Sequence, residues 1–392
     1  MTSTRMLRIG LLTHSVNPRG GVVHTLELGK ALVEAGHDVT IFAPAQEGER
    51  MFRPSSCRVV LAVGDEAPIN TIDMVDGRIR ALKRVLRSNG AGEFDILHAQ
   101  DSISGNALAE MKQSGEIRGF FRTVHHLDQF PEPKLSSWQR RAWKDADRVL
   151  CVSETWTRRM QGEFGVTALM VPNGVDTQRF SPVAEGDVEL LRPFGIHRSP
   201  VVLAVGGIEE RKNTLLLLEA VALLRKGGTD VQLVIAGGAS LLDHNKYVSG
   251  FIRRASELGL SVGAGEAVVL TGALTDAAMS AFYRRADVLA MVSLQEGFGL
   301  AVLEALASGT PAVVSKIPPF TEYLNDAVCS WADPKDPVTI AKALLDALDA
   351  RDSIDFVHAV PALLDRFSWS ASARRHSQLY EQWLATQSIA NQ

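Results

Sequence analysis

Short apolar runs alternating with helix-spaced segments, twice over, most constrain what this chain can fold into. In the first half Leu7 to Thr13 reads as a strand, Gly20-Gly21 as a turn, Val22 to Ala35 as a helix closed by Gly36, and Asp38 to Phe42 as a second strand. Further strands are expected at 58–63, 95–99, 119–124 and 147–152, with helices between them. The second half repeats the plan. Pro200 to Gly206 is a near-continuous apolar run, as strands covered on both faces tend to be. Strands at 231–236, 267–270, 287–292 and 311–315 follow, and helical spacing marks 214–225, 246–258 and 276–285. Such alternation produces mostly parallel sheets with helices on both faces.

A chain of 392 residues is too long for one compact core and suits two domains. Between Val175 and Ser199, Pro182, Pro193 and mixed charges interrupt the periodicity, which places the boundary near residue 190. The expected domains are therefore 1–190 and 191–369. Hydrophobic content of 46% with 22% charged residues is that of an ordinary soluble protein, and a net charge of −4 argues against nucleic acid as the principal partner. Cys57, Cys151 and Cys329 are far apart and odd in number, with neither a disulfide framework nor metal-ligand spacing, so a cytoplasmic setting is expected. Met6 to Thr13 is too short for a signal-peptide core, and no run approaches the length of a membrane span.

Function is concentrated in Ser293 to Pro311. A strand-like run, Asp287 to Val292, enters a glycine-flanked loop that opens a helix from about Leu300 to Ser308, stopped by Gly309 and Pro311. Free amides at Phe298, Gly299 and Leu300 can point at an anion on the helix axis. A carboxylate such as Glu304 can accept two hydroxyls at once, as a ribose diol presents them. Phosphate beside a diol describes a nucleotide. Glu296 precedes Glu304 in the loop.

This segment resembles the donor-site signature of glycosyltransferase family 4: a Glu, a Gly-Phe-Gly, and a second Glu in an Ala-rich helix ending in Gly-Thr-Pro. Gly20-Gly21-Val22, then His24, then Gly36-His37-Asp38-Val39, Asp95 to Ala99, Ala146 to Ser153, Val171 to Asp176 with Phe180, Asp333-Pro334 and Phe367-Ser-Trp369 resemble other blocks of the family, in order. The resemblance implies an α/β chain of GT-B architecture, two doubly wound Rossmann-like domains facing across a cleft. It implies an N-terminal acceptor domain, a C-terminal donor domain, and a last helix, 370–392, that packs back on the first domain. The implied activity is retaining transfer of a sugar from a nucleoside-diphosphate sugar. Glu304 would then bind the ribose and Glu296 would lie against the donor sugar.

Breaking the bond from the anomeric carbon to phosphate builds negative charge on the pyrophosphate, so fixed donors aimed at it must carry much of the catalysis. Three sources are expected: the amides at Phe298–Leu300, those of the Gly20-Gly21 loop, and the cationic segment Glu210-Arg211-Lys212-Asn213. Lys212 matches the family's diphosphate-clamping Lys, but Gly207 stands where the family has Arg. A glycine cannot replace a five-donor fork, and Arg211 is the candidate to supply the missing charge. His125, at the carboxyl end of the 119–124 strand, fits the family's donor-facing His, with His126 a less favoured substitute. His14 and His24 are read as structural more readily than functional. No general base stands out. Asp145-Ala-Asp147 spells a metal-binding Asp-x-Asp but sits directly before a strand, so neither a metal site nor a cofactor is expected.

Two basic stretches, Arg78, Arg80, Lys83, Arg84 and Arg87, then Arg140, Arg141 and Lys144, are favoured as solvated helix faces; peripheral contact with an anionic membrane face is the other reading. The expected partners are a nucleotide sugar and an acceptor that is a small molecule, glycan or lipid. Rival classes are a nicotinamide or flavin oxidoreductase, which the absent Gly-x-Gly-x-x-Gly disfavours, a nucleotide-sugar epimerase, and a binding protein that no longer transfers.

Overall fold

The computed structural model describes residues 5–64, 68–196, 200–238, 245–350 and 354–390. The chain divides into two compact units, residues 1–174 with 368–392, and residues 175–367.

Unit 1 begins with β1 (Arg8–Leu12), α1 (Gly20–Glu34), β2 (Asp38–Ala45), β3 (Arg58–Val63) and α2 (Thr71–Ser88). It continues through β4 (Ile96–Ala99), α3 (Ser102–Gln113), β5 (Phe121–Val124), α4 (Pro133–Lys144), β6 (Arg148–Cys151), α5 (Glu154–Phe164) and β7 (Ala168–Met170). Among the described residues its sheet has seven strands, all parallel, in the order β3-β2-β1-β4-β5-β6-β7. Strands β4 and β5 are buried along their whole length, which explains why Ile96, Leu97, Phe121 and Val124 show no polar alternation.

Unit 2 contains α6 (Asp187–Leu191), β8 (Val201–Val205), α7 (Thr214–Lys226), β9 (Gln232–Ala236), α8 (Asn245–Glu257), β10 (Val268–Gly272) and α9 (Asp276–Arg285). After them come β11 (Val288–Met291), α10 (Leu300–Ala307), β12 (Ala312–Ser315), α11 (Phe320–Tyr323), β13 (Cys329–Ala332), α12 (Pro337–Ala350) and α13 (Ile354–Arg366). Its parallel sheet runs β10-β9-β8-β11-β12-β13. Leu217, Leu218 and Val221 of α7, Phe251 of α8 and Leu344 of α12 close over Val202, Leu233 and Val288 of this sheet in one apolar core.

The last helix, α14 (Trp369–Ala390), belongs to unit 1. Ser377 bonds His37 Nε2 at 2.8 Å, Tyr380 bonds His98 Nδ1 at 2.7 Å, and the rings of Tyr380 and Trp383 stand edge-on to Phe121 at 5.0 and 5.6 Å.

The boundary expected near residue 190 moves to 174/175. The segment that composition marks as a connector is packed into unit 2. Arg284 grips Asp187 with two bonds of 2.7 Å, Phe180 stands edge-on to Tyr283 at 5.6 Å, and Gln232 donates to the Gly195 carbonyl at 3.3 Å. Prolines and charges break periodicity without preventing docking. Gly20 and Gly21, expected as a turn, form the first turn of α1.

In both sheets the strand order reverses direction beside the first strand, between β1 and β4 in unit 1 and between β8 and β11 in unit 2. Loops leaving the carboxyl ends of such strands diverge and open a crevice, where doubly wound sheets bind ligands.

Candidate active site

At the switch point of unit 2, the loop after β8 carries Arg211 and Lys212, and the loop after β11 carries Glu296. Lys212 Nζ donates to Glu296 Oε1 at 2.8 Å, and Arg211 Nη1 donates to the same oxygen at 3.2 Å and to the Gln295 carbonyl at 3.1 Å. The Leu294 amide donates to the Arg211 carbonyl at 2.8 Å, tying the two loops together. Asn213 adds a second tie: its buried amide nitrogen donates to the carbonyls of Val292 (3.0 Å) and Pro334 (2.6 Å). Glu296 is only 8% exposed, and burial alone would raise its pKa; Lys212 and Arg211 more than offset this and hold it at about 2. Glu296 therefore stays ionised at neutral pH, paired with Lys212 and Arg211, and Arg211 also lies 3.5 Å from Glu209.

Gly207, where an arginine was expected, has φ +80°, and a Cβ there would lie 2.8 Å from the Gly238 carbonyl oxygen. The ends of β8 and β9 cross backbone to backbone at this point, so only glycine fits. Arg211 is the cation that converges on Glu296 with Lys212.

Helix α10 starts directly after this loop. Its N-cap, Gly299, has φ +93°, and a Cβ there would lie 2.4 Å from the Phe320 ring. Among the described residues no protein acceptor takes the amides of Phe298, Gly299 or Leu300. The Phe298 side chain is an anchor: its ring stacks on Tyr323 at 5.2 Å, and its carbonyl accepts from the Tyr323 hydroxyl at 2.8 Å. One turn on, Glu304 Oε2 accepts a 2.6 Å bond from Tyr283 of α9. Burial raises the Tyr283 pKa well above normal and Glu304 adds to it, so the phenol stays a donor. Tyr283 was absent from the sequence-based site; its only signal was position, immediately before Arg284-Arg285-Ala286-Asp287 and the strand feeding the loop.

At the switch point of unit 1, α1 begins at Gly20 without a side-chain cap. An ideal Cβ at Gly21 would stand 3.8 Å from His125 Cδ2 and 4.0 Å from His14 Cε1, so the helix start, the end of β1 and the end of β5 meet there. His125 Nε2 lies 3.3 Å from Gln100 Oε1, and the His125 ring meets His24 edge-on at 4.6 Å. Burial, joined by His24 and Arg122, pushes His125 well below the usual histidine range, so it is neutral at pH 7. His126 instead sits 3.5 Å from Asp128 and is half-exposed. Arg122, buried beneath His125, leaves Nε and Nη1 without a partner among the described residues, a feature that strand patterning alone does not reveal.

Asp147 of the Asp-x-Asp spelling is spent on the Phe120 amide (2.9 Å) and on Lys112 (2.9 Å), and among the described residues no His, Cys, Asp or Glu cluster could hold a metal. The basic stretches are largely paired within unit 1. Lys83 and Arg141 share Glu110 at 2.6 Å each, Arg87 binds Glu116, Arg80 binds Asp76, Arg84 binds the Val63 carbonyl, and Arg78 binds the His14 carbonyl. Arg140 and Lys144 are exposed and make no ion pair among the described residues. No described helix is long and apolar enough to cross a membrane.

Residues 18–179 match the profile "Glycosyltransferase Family 4", and residues 190–355 match "Glycosyl transferases group 1". The chain is 27% identical over 392 residues, 94% of its length and 97% of the other's, to the GDP-mannose-dependent alpha-(1-6)-phosphatidylinositol monomannoside mannosyltransferase of Mycolicibacterium smegmatis. It is 27% identical over 363 residues, 83% of its length and 78% of the other's, to the D-inositol 3-phosphate glycosyltransferase of Salinispora arenicola. In fold it resembles the sucrose-phosphate synthase of Thermosynechococcus elongatus (TM-score 0.77, 21% identity, 97% and 100% of the two chains). It likewise resembles Anabaena HepE solved with UDP and glucose (TM-score 0.75, 16% identity, 96% and 99%).

Proposed function

The chain belongs to glycosyltransferase family 4, with the GT-B fold, and from that premise we propose that it is a retaining enzyme. It moves a sugar from a nucleoside-diphosphate sugar onto an acceptor hydroxyl. The observation that carries this reading is the meeting of Lys212 and Arg211 on Glu296, directly before the uncapped start of α10 and one turn from Glu304. Two cations and a run of free amides suit a diphosphate, and the carboxylate behind them suits a ribose.

In the proposed reaction the bond from the anomeric carbon to the phosphate oxygen breaks, and a bond to the acceptor oxygen forms on the same face. The acceptor proton passes to the departing phosphate. Lys212, Arg211 and the α10 amides stabilise charge growing on that phosphate, which is the part a metal plays elsewhere. Glu304 holds the ribose. Glu296 contacts the sugar; in unit 1 the neutral His125 and the amides of Gly20 and Gly21 are the groups proposed to serve the same reaction. No cofactor is required by this scheme.

GDP-mannose is the first donor to try, because one relative is named for it, and inositol-bearing compounds are the first acceptors, because several relatives are named for them. Contact with a lipid-borne acceptor would be peripheral. The cytoplasmic setting is part of the proposal; all three cysteines are buried free thiols whose pKa burial raises.

A thermal-shift screen of GDP-mannose, UDP-glucose and ADP-glucose tests the donor site, since a ligand bound by the folded state alone raises Tm. One of them should raise it by several degrees at millimolar concentration; no shift with any nucleotide sugar would overturn the reading. Proton NMR of the product should then show the anomeric configuration of the donor.

A further inference from the structure

We infer that His24 is a positioning residue for His125, anchored by the two segments through which the chain leaves unit 1 and re-enters it. The inference rests on the role proposed for His125 above.

His24 lies on the inner face of α1 and is 1% exposed. Its Nδ1 is 2.8 Å from Asn173 Oδ1. An amide oxygen only accepts, so Nδ1 carries the proton and Nε2 keeps its lone pair. Nε2 is buried and has no partner among the described residues. The same reasoning at His125, whose Nε2 faces Gln100 Oε1 at 3.3 Å, puts that ring's proton on Nε2 and leaves Nδ1 as its acceptor. Three other rings surround His24: His125 at 4.6 Å, Trp369 at 5.4 Å and His376 at 6.3 Å, all edge-on.

Asn173 and Trp369 are not arbitrary neighbours. Asn173 precedes Gly174, where the chain leaves unit 1, and Trp369 follows Ser368, where it returns. A Cβ on Gly174 would lie 2.2 Å from the Trp369 amide nitrogen, so the leaving and returning segments run backbone to backbone. One ring therefore holds both segments on one side and His125 on the other. A leucine could fill that space, but it could not bond Asn173 and would leave a buried amide oxygen unpaired. Burial, with help from His376, holds His24 down to about 3, so His24 itself places no charge against His125 at working pH.

Two variants separate positioning from packing. His24→Phe keeps an aromatic ring and removes the Asn173 bond; Asn173→Ala removes the same bond from the other side. With GDP-mannose as donor, each should lower kcat by about tenfold and leave the donor KM within about twofold, as expected when a reacting group is misplaced rather than removed. The double variant should be no worse than either single one, because both break one link. A donor-independent arm uses the full chain labelled with 15N-histidine. His125 should show the Nε2–H tautomer in the parent and a mixture of tautomers in both variants. An unchanged His125 spectrum, or additive losses in the double variant, overturns the inference, as does a fall in Tm with kcat preserved. If no nucleotide sugar is turned over, the function proposed above fails while the tautomer result still decides this one.

Discussion

The two switch points share a topology and differ in electrostatics. In unit 2 the carboxyl edge of the sheet carries full charges of both signs: Lys212 and Arg211 against Glu296. In unit 1 the same edge carries rings kept free of charge, with Arg122 buried beside them and Asp101 3.8 Å from His14. His14, His24, His98, His125 and His376 are all pushed below the usual range, chiefly by burial. A charged pocket suits a ligand that arrives with charge, such as a diphosphate. Neutral rings suit hydroxyls and a carbon that turns cationic, which a protonated imidazole would repel. One βαβ framework thus carries two electrostatic environments through the side chains at the strand ends.

Removing a charge from unit 2 should break the contrast most severely. Lys212→Ala takes the nearer cation from the buried Glu296 and removes it from the diphosphate site proposed above. Truncating one partner of a buried charge pair at a binding surface costs about 2–5 kcal/mol of binding, so GDP affinity by calorimetry should fall by about 100-fold or more, and turnover with it. Arg211→Ala, on a side chain 30% exposed, should cost about tenfold. If Arg211→Ala leaves GDP affinity unchanged, Arg211 does not make up for the cation absent at Gly207.

Next in size is the carboxylate on α10. Glu304→Ala should weaken GDP binding by about 10- to 100-fold, in line with loss of charge-assisted hydrogen bonds. Tyr283→Phe, which frees Glu304 Oε2 from its 2.6 Å bond, should weaken binding by about fivefold and reduce the preference for GDP over 2′-deoxy-GDP. An unchanged preference would mean that Tyr283 only packs against Phe180.

Much of the fold was legible because buried parallel strands write themselves as apolar runs. Asp276–Arg285 and Arg58–Val63 were expected at the bounds they have. The two missed strands are edge strands: β7, Ala-Leu-Met, and β13, Cys-Ser-Trp-Ala, lack the β-branched runs of the sheet interior. The site was legible wherever one local segment holds it, as Glu296 to Glu304 does. It was illegible where partners are distant in sequence. The Lys212–Glu296 pair spans 84 residues, Tyr283–Glu304 spans 21, and His24–Asn173 spans 149. His24 falls within a block that resembles the family, but nothing in Val22-Val23-His24-Thr25 names Asn173 as its partner.

Acid should separate the units. A histidine whose folded pKa is depressed binds its proton more readily when unfolded, so its contribution is complete above about pH 6.5 and is lost as pH falls toward the folded value. For His14, His24 and His376 that window closes at about 4, 3 and 4. Glu296 is also depressed, but its contribution is complete above the ordinary carboxylate range and is lost only as pH falls toward about 2. Unit 1 should therefore weaken between pH 6.5 and 4 while the Glu296 cluster stays intact. Trp138, Trp143, Trp156, Trp369 and Trp383 lie in unit 1 and only Trp331 in unit 2, so tryptophan fluorescence on heating reports mainly unit 1. Its midpoint should drop by several degrees from pH 6.5 to pH 5; a constant midpoint would mean the rings are not neutral.

The smallest effect concerns the glycine that departs from the family pattern. Restoring the arginine by Gly207→Arg looks like an improvement from sequence alone, since it adds a cation to a cationic clamp. The backbone argues otherwise. Gly207 holds φ +80°, which costs a side-chain-bearing residue about 1–2 kcal/mol, and its Cβ would press on the Gly238 carbonyl oxygen at 2.8 Å. Differential scanning calorimetry should show Tm lower by a few degrees and calorimetry no gain in GDP affinity. A tighter GDP complex with Tm intact would show that the β8 and β9 ends can separate, and that Arg211 had been standing in for a residue the fold could accommodate.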